Sequence, residues 1–251
     1  MAKALNHRKF VFFCILAYFI FLIVMFPLNV AYKLVDPKGL PVQVVAVSGT
    51  VWNGDVTLKH QLTGQVLAKW QLNVWPLLMG DIESSFQIES AELNAKLDAS
   101  YNPLTNNIEI INLNGFVQSA FINRIAKRNK VKMSGNLEIS NISIDHSISN
   151  TYTNSASGRA VWMGGNVSYP KGRKTGNADL PMLIADFSNK SGELHLDLHT
   201  TENLSVANAS LKTDGWGSVA ILKRMIDLVG EPWPNKASAD TAVFEISEKV
   251  F

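Results

Sequence analysis

Apolar and polar residues alternate along most of this chain. Between residues 62 and 74 the even positions are Leu62, Gly64, Val66, Ala68, Trp70, Leu72 and Val74. The odd positions are mostly Thr, Gln, Lys and Asn. A period of two puts one side of a strand on a core and the other in water. Ile82 to Ile88, Ala91 to Ala99, Val131 to Ile139 and Leu194 to Leu198 repeat the pattern. Asn102-Pro-Leu-Thr-Asn-Asn107 and Asn189-Lys-Ser-Gly192 read as hairpin turns, because Asn and Gly tolerate positive φ. Alternating runs joined by short turns make an antiparallel meander. The apolar face slips by one residue after Ile139 and again between Val206 and Ala207, as β-bulges would make it do.

Two stretches after the first hundred residues carry a helical period. Residues 119–128 place Phe121, Ile122 and Ile125 on one side and Arg124, Lys127 and Arg128 on the other. Residues 218–229 place Val219, Leu222, Ile226 and Val229 on one stripe, with Ser218 as the N-cap and Gly230 as the stop. Both are too short to stand alone and should lie on the sheet.

The N-terminal region has neither period. Residues 10–26 contain no charged side chain, and the apolar stretch continues to residue 31 with only Asn29 as a polar break. One continuous helix over 10–31 would span about 33 Å and cross a bilayer core of about 30 Å. Lys3, Arg8 and Lys9 precede it, so the positive-inside rule puts the N-terminus in the cytosol.

A motif recurs about 110 residues apart, the separation of duplicated half-domains rather than of solenoid units. The first copy is Ser48-Gly49-Thr50-Val51-Trp52-Asn53-Gly54, and the second runs Ser157-Gly158-Arg159-Ala160-Val161-Trp162-Met163-Gly164. Each copy lies upstream of a strand, a short helix and a further strand. The expected fold is mainly β: an N-terminal transmembrane helix, then a duplicated, curved antiparallel β-meander with one short helix per half. The expected divisions are a cytoplasmic tail at 1–9, the anchor at 10–31, a linker at 32–41 and a first β repeat at 42–145. A polar linker at 146–154 and a second repeat at 155–251 follow.

Composition narrows the function. Net charge is only +2, and no basic stripe is interleaved with aromatics, which speaks against nucleic acid. Cys14 is the single cysteine, so no intrachain disulfide or thiolate metal cage can form. His195 and His199 lie about 13 Å apart along a strand, too far to share a zinc ion, and are expected on a solvated polar face. Gly172-Arg-Lys-Thr-Gly176 lacks the phosphate-loop spacing and reads as a basic hairpin tip. No nucleophile elbow occurs. The chain therefore offers no catalytic, cofactor-binding or metal-binding residues, and binding is the remaining mode of action. Trp52, Trp70 and Trp162 are expected in the core. Trp75, Trp216 and Trp233, near turns, are candidate partner contacts.

The sum is familiar. A basic tail, an apolar anchor, the Ser48–Gly54 motif, Trp70-Gln-Leu72 and the corner Pro76-Leu-Leu-Met-Gly80 resemble the type II secretion system protein N family, GspN. The second copy at Trp162 and Gly164 extends the resemblance over nearly the whole chain. It departs from the first by the extra residues Ala160 and Gly165. The resemblance implies a non-catalytic, inner-membrane accessory of the machine that exports folded proteins from the periplasm across the outer membrane. Its partners would be the inner-membrane clamp subunit and the outer-membrane secretin. The chain also looks like a distant relative of AsmA-type proteins, whose curved sheets are associated with lipids, which implies a periplasmic lipid-binding or transfer module as the alternative. An open apolar sheet face would favour the second reading and a closed core the first.

Overall fold

The computed structural model describes residues 7–35, 42–60, 64–149, 152–234 and 236–250. Two helices come first, α1 (His7–Val24) and α2 (Leu28–Val35). The meander then opens with β1 (Gln43–Gly49), β2 (Asn53–His60), β3 (Gly64–Asn73) and the one-turn helix α3 (Val74–Leu77). It continues through β4 (Ile82–Glu89), β5 (Leu93–Asn102) and β6 (Asn107–Val117). Next come α4 (Ser119–Ala126), a 3-10 turn (Lys127–Asn129), β7 (Lys132–Met133) and β8 (Leu137–Ser147). The remaining elements are β9 (Tyr152–Trp162), β10 (Gly165–Lys171), β11 (Lys174–Leu180), β12 (Leu183–Lys190), β13 (Glu193–Thr200), β14 (Ser205–Leu211), β15 (Trp216–Leu222), α5 (Lys223–Val229) and β16 (Ala242–Lys249).

The fold is mainly β. One 13-stranded antiparallel sheet runs in the order β1-β2-β3-β4-β5-β6-β8-β9-β12-β13-β14-β15-β16, and a second, three-stranded sheet is ordered β11-β10-β7. The large sheet continues from the first half into the second, because β8 and β9 pair directly. β9 begins at Tyr152, inside the stretch read as a polar linker, and residues 150 and 151 lie outside the described residues. So do residues 36–41 of the first linker, residues 1–6 of the tail, and Leu62.

Register makes the large sheet two-faced. One residue from each strand forms an unbroken row: Val47, Val56, Ala68, Ile88, Ala95, Gly115, Ile139, Ala160, Ala185, Leu198, Ala207, Ile221 and Phe244. Every member is apolar or glycine. Directly paired residues point the same way, so the row is a single apolar band about 58 Å long at about 4.8 Å per strand. The opposite face carries Asp55, Lys69, Gln87, Lys96 and Asn114, then Arg159, Asp186, Asp197 and Asn208. Both expected bulges are present. Register shifts between Ser140 and Ser143, where Asn141 takes φ 50°, and again between Leu198 and His199, opposite Val206. Each bulge absorbs one residue and keeps the apolar set on one side.

The main buried cluster of the apolar face lies at one end of its strands. Trp162, Leu183 and Val206 form the buried cluster, under Met133, Val167 and Leu180 of the small sheet and Met225 and Leu228 of α5. Elsewhere Val56, Ile88 and Ile139 are only half-buried, and Val219, Phe244 and Ile246 are 51%, 56% and 61% exposed.

Four expectations need correction. The continuous helix over 10–31 is two helices broken between Val24 and Leu28. Pro27 lacks an N–H and clashes with the preceding turn, which ends α1. Among the described residues no helix is long and apolar enough to cross a membrane. Residues 131–139 are not one strand: Gly135, at φ 79°, turns the chain, and β7 leaves for the small sheet. No side chain fits there, since a Cβ on Gly135 would stand 2.1 Å from the Gly164 carbonyl oxygen. The second helix starts at Lys223, not Ser218, because residues 216–222 pair on both sides as β15. Finally, Trp52 and Trp70 are half-buried, while Trp162 is 6% exposed.

Candidate functional site

The first motif copy builds the junction between the helices and the sheet. Ser48 and Gly49 end β1, and residues 50–53 form the hairpin tip. Thr50 N–H donates to Asn53 O at 2.9 Å, and Thr50 Oγ1 accepts from Asn53 N–H at 3.1 Å. Ser48 Oγ lies 2.7 Å from both carboxylate oxygens of Asp55 across the strand pair and donates to them. Gly49 has φ 84°, and a Cβ there would sit 2.4 Å from Asn53 O. The side chain of Trp70 lies beneath this tip and donates Nε1–H to Val51 O at 2.9 Å.

The helix break docks on this tip. Pro27 bridges to Thr50, and Val51 N–H donates to Phe26 O at 3.4 Å. Gly54 is buried because Leu28 packs onto it; a Cβ at Gly54 would meet Leu28 at 2.9 Å and Trp70 at 2.8 Å. Phe19, Leu22, Phe26, Val51 and Trp52 line an open groove of about 320 Å³. The glycines and tryptophans of the motif thus hold α1 and α2 against the sheet end where the apolar face begins.

The second copy does different work. Ser157 and Gly158 lie within β9, where Gly158 at φ 114° faces the Asn141 bulge; a Cβ would lie 2.4 Å from Ile142 Cα. Trp162 ends β9 and donates Nε1–H to Ser134 O at 2.9 Å. Gly164, at φ 77°, turns the chain out of the large sheet into β10. At the W-P-L-L-M-G corner Asn73 caps α3 by accepting from Trp75 N–H at 3.4 Å, Pro76 occupies the first turn, and Gly80 takes φ 94°. Of the candidate contacts, Trp75 is 77% exposed and Trp216 43%, on different elements, and Trp233 is half-buried.

A charged cluster that sequence reasoning missed crosses the polar face. Arg159 grips Asp186 with two bonds, Nε to Oδ1 at 2.7 Å and Nη2 to Oδ2 at 3.1 Å. His199, expected in solvent, is 5% exposed, with Nε2 at 2.9 Å from Asp186 Oδ2 and Nδ1 at 2.9 Å from Thr200 O. Burial presses the His199 pKa down, but the Thr200 carbonyl and the Asp186 carboxylate outweigh it, and the net shift is upward. Both ring nitrogens face acceptors, which suits imidazolium. The Arg159 guanidinium holds Asp186 below the usual carboxylate range, aided by His199. The cluster satisfies itself, and the neighbouring Ser205 hydroxyl is taken up by Asp197 at 2.6 Å. Among the described residues no group of three or more His, Cys, Asp or Glu side chains could hold a metal ion. Register brings 159, 186 and 199 together, and alternation alone carried no sign of which outward residues would be neighbours.

The two-faced antiparallel sheet thus meets the apolar N-terminal helices through a glycine–tryptophan hairpin. Residues 41–226 match the family model described as Type II secretion system (T2SS), protein N. The chain belongs to that family, and membership makes it a component of type II secretion that acts with other secretion components. No curated protein and no solved structure gives a significant match.

Proposed function

We propose that this protein is a non-catalytic, inner-membrane-anchored accessory of type II secretion, with its sheet in the periplasm, working by contact with other envelope proteins. The free sheet edges carry the reading: β1 and β16 each have a single neighbour among the described residues. An exposed edge offers unpaired backbone groups to a partner's strand. Each edge strand carries one bulge, β1 between Val44 and Ala46 and β16 between Ala242 and Phe244. Beyond its bulge β16 keeps Phe244 and Ile246 on the apolar side.

Anchoring is supported by α1. Its described side chains from Phe10 to Val24 are exposed, although nearly all are apolar. A helix apolar on every side belongs in lipid. At 18 residues it reaches about 27 Å, somewhat short of a bilayer core of about 30 Å. Residues 42–145 and 155–251 are read as a duplicated pair, each with a short helix inserted between adjacent strands, β6 and β8 or β15 and β16. Site-specific crosslinking in cells from 42–47 and 243–246 should capture the inner-membrane clamp subunit or the outer-membrane secretin. Adducts with neither would refute the contact role.

A second reading has one observation in its favour. The 13-residue apolar row is continuous, and most of its members are only half-buried, with Phe244 exposed at its end, as a lipid-binding module requires. Beside it Phe187, Leu196, Ala209, Val219, Ile246 and Val250 line a groove of about 430 Å³. Acyl chains retained on the purified sheet, and released by Val219→Asp or Ile246→Asp, would support that reading; a lipid-free sheet would remove it.

A further inference from the structure

One surface is charged far beyond the balance of the whole chain. α4 runs into the 3-10 turn and then into β7, and this path carries Lys127, Arg128, Lys130 and Lys132, all exposed. β7 pairs with β10, Lys132 opposite Ser168 and Met133 opposite Val167. The strands are antiparallel, so residues before 132 run beside those after 168. That path leads to the β10–β11 hairpin tip, where Arg173 and Lys174 are exposed. Helix end and hairpin tip therefore share one edge of the small sheet. Between them a cavity of about 490 Å³ is lined by Lys127, Lys130, Lys132, Ser168 and Thr175, together with Arg124.

The nearby acids are already paired, one of them with the cavity's own Arg124. Glu92 pairs with Arg124, and Glu231 pairs with Lys171 at 2.5 Å while accepting from Tyr169. Lys127, Arg128, Lys130, Lys132, Arg173 and Lys174 have no ion-pair partner among the described residues. Among the described residues no carboxylate offsets them.

The array is held in place. Asn123 clasps Met133, its Oδ1 accepting from the Met133 N–H at 2.7 Å and its Nδ2 donating to the Met133 carbonyl at 2.9 Å. Lys130 adopts the left-handed conformation, φ 56° and ψ 26°. That conformation disfavours a residue with a long side chain, and glycine or asparagine fits it better. Asparagine does occupy it at 106, 112, 141 and 203. Lysine at 130 is thus locally unfavourable, and its cation is what an asparagine there would lack.

We propose that this surface binds an acidic segment of a protein partner. Two features favour a protein over phospholipid headgroups. The cations are spread along a helix end and a hairpin rather than converging on one point. The surface also stands away from α1: β9, which feeds β10, is six strands from β2, about 29 Å, and the two sites use opposite strand ends. The proposal specifies the partner chemistry of the contact role given above, and its binding test is independent of any secretion phenotype.

The test uses the full chain in nonionic detergent and a fluorescent glutamate-rich peptide. Binding should weaken as salt rises, since screening acts on exposed charges. Lys127→Ala/Lys130→Ala/Lys132→Ala should weaken it by about tenfold or more, as expected from losing several exposed ion pairs. Lys130→Asn separates binding from folding: it should weaken binding while leaving the melting temperature equal or higher. Lys130→Arg should retain binding. Equal peptide affinity in the triple variant overturns the proposal. So does capture of phosphatidylglycerol vesicles through these lysines with no affinity for the peptide.

Discussion

Replacing Trp162 by alanine is the sharpest test of how this sheet is held. Its indole is 6% exposed and packs with Leu183 and Val206 where the small sheet and α5 close the apolar face. Truncating a buried large aromatic costs about 3–5 kcal/mol. The Ser134 carbonyl would also lose its Nε1–H donor, now at 2.9 Å, which adds about 1 kcal/mol if water cannot replace it. For a domain of about 200 residues each kcal/mol moves the melting temperature by about 2–4 °C, so the combined loss of about 4–6 kcal/mol should lower it by about 8–24 °C. Trp70→Ala, half-buried, should cost about half as much. Trp75→Ala, with its side chain in solvent, should change nothing measurable. Thermal melts of the detergent-solubilised chain, followed by tryptophan fluorescence and far-UV circular dichroism, give the ranking. A Trp162→Ala melt no lower than that of Trp75→Ala would refute this account of the core.

Three further outcomes follow from the geometry. The His199 pKa is raised, so the stability of its contacts with Asp186 and Thr200 is fully present below the unfolded value of about 6.5 and lost as pH rises through the folded value. His199→Gln should flatten the melting temperature against pH across that window, and an unaltered profile would sink the assignment. Gly158→Ala should destabilise by more than about 1 kcal/mol in chemical denaturation, because φ 114° and the Ile142 backbone at 2.4 Å both exclude a Cβ; a neutral effect would contradict the bulge. Gly54→Val should disturb the hairpin tip and the helix–sheet junction together, since its Cβ would meet Thr50 O at 2.7 Å, Trp70 at 2.8 Å and Leu28 at 2.9 Å; protease cleavage between 28 and 42 should speed up, and an unchanged rate would argue against the dock.

Much of this architecture was legible because alternation is a local signal. Strands β3, β4, β5 and β13, and both bulges, follow from which positions are apolar. The failures have physical causes. Residues 218–222 fit a helical stripe and a strand face equally, and pairing with β14 and β16 decided for the strand. Residues 131–139 keep strand parity through Gly135, so the turn there is invisible until Gly164 is seen to fill the space beside it. Whether the apolar face was covered could not be read, because an open and a closed sheet share one pattern. The same blindness made Trp52 and Trp70 look like core residues. The Arg159–Asp186–His199 cluster depends on register across β9, β12 and β13, and register is fixed by the whole sheet.

The central claim is that an anchored sheet serves type II secretion by contact. The direct measurement is the fraction of a secreted enzyme retained in the periplasm of cells lacking this chain, with complementation by the full sequence and by a version whose residues 7–35 are replaced with a cleavable signal peptide. The account predicts periplasmic retention in the deletion strain, recovery with the full chain, and poor recovery with the unanchored one, whose effective concentration at the membrane is lower. Normal export in the deletion strain, accompanied by altered envelope lipid composition, would contradict it and leave the lipid-binding reading in its place.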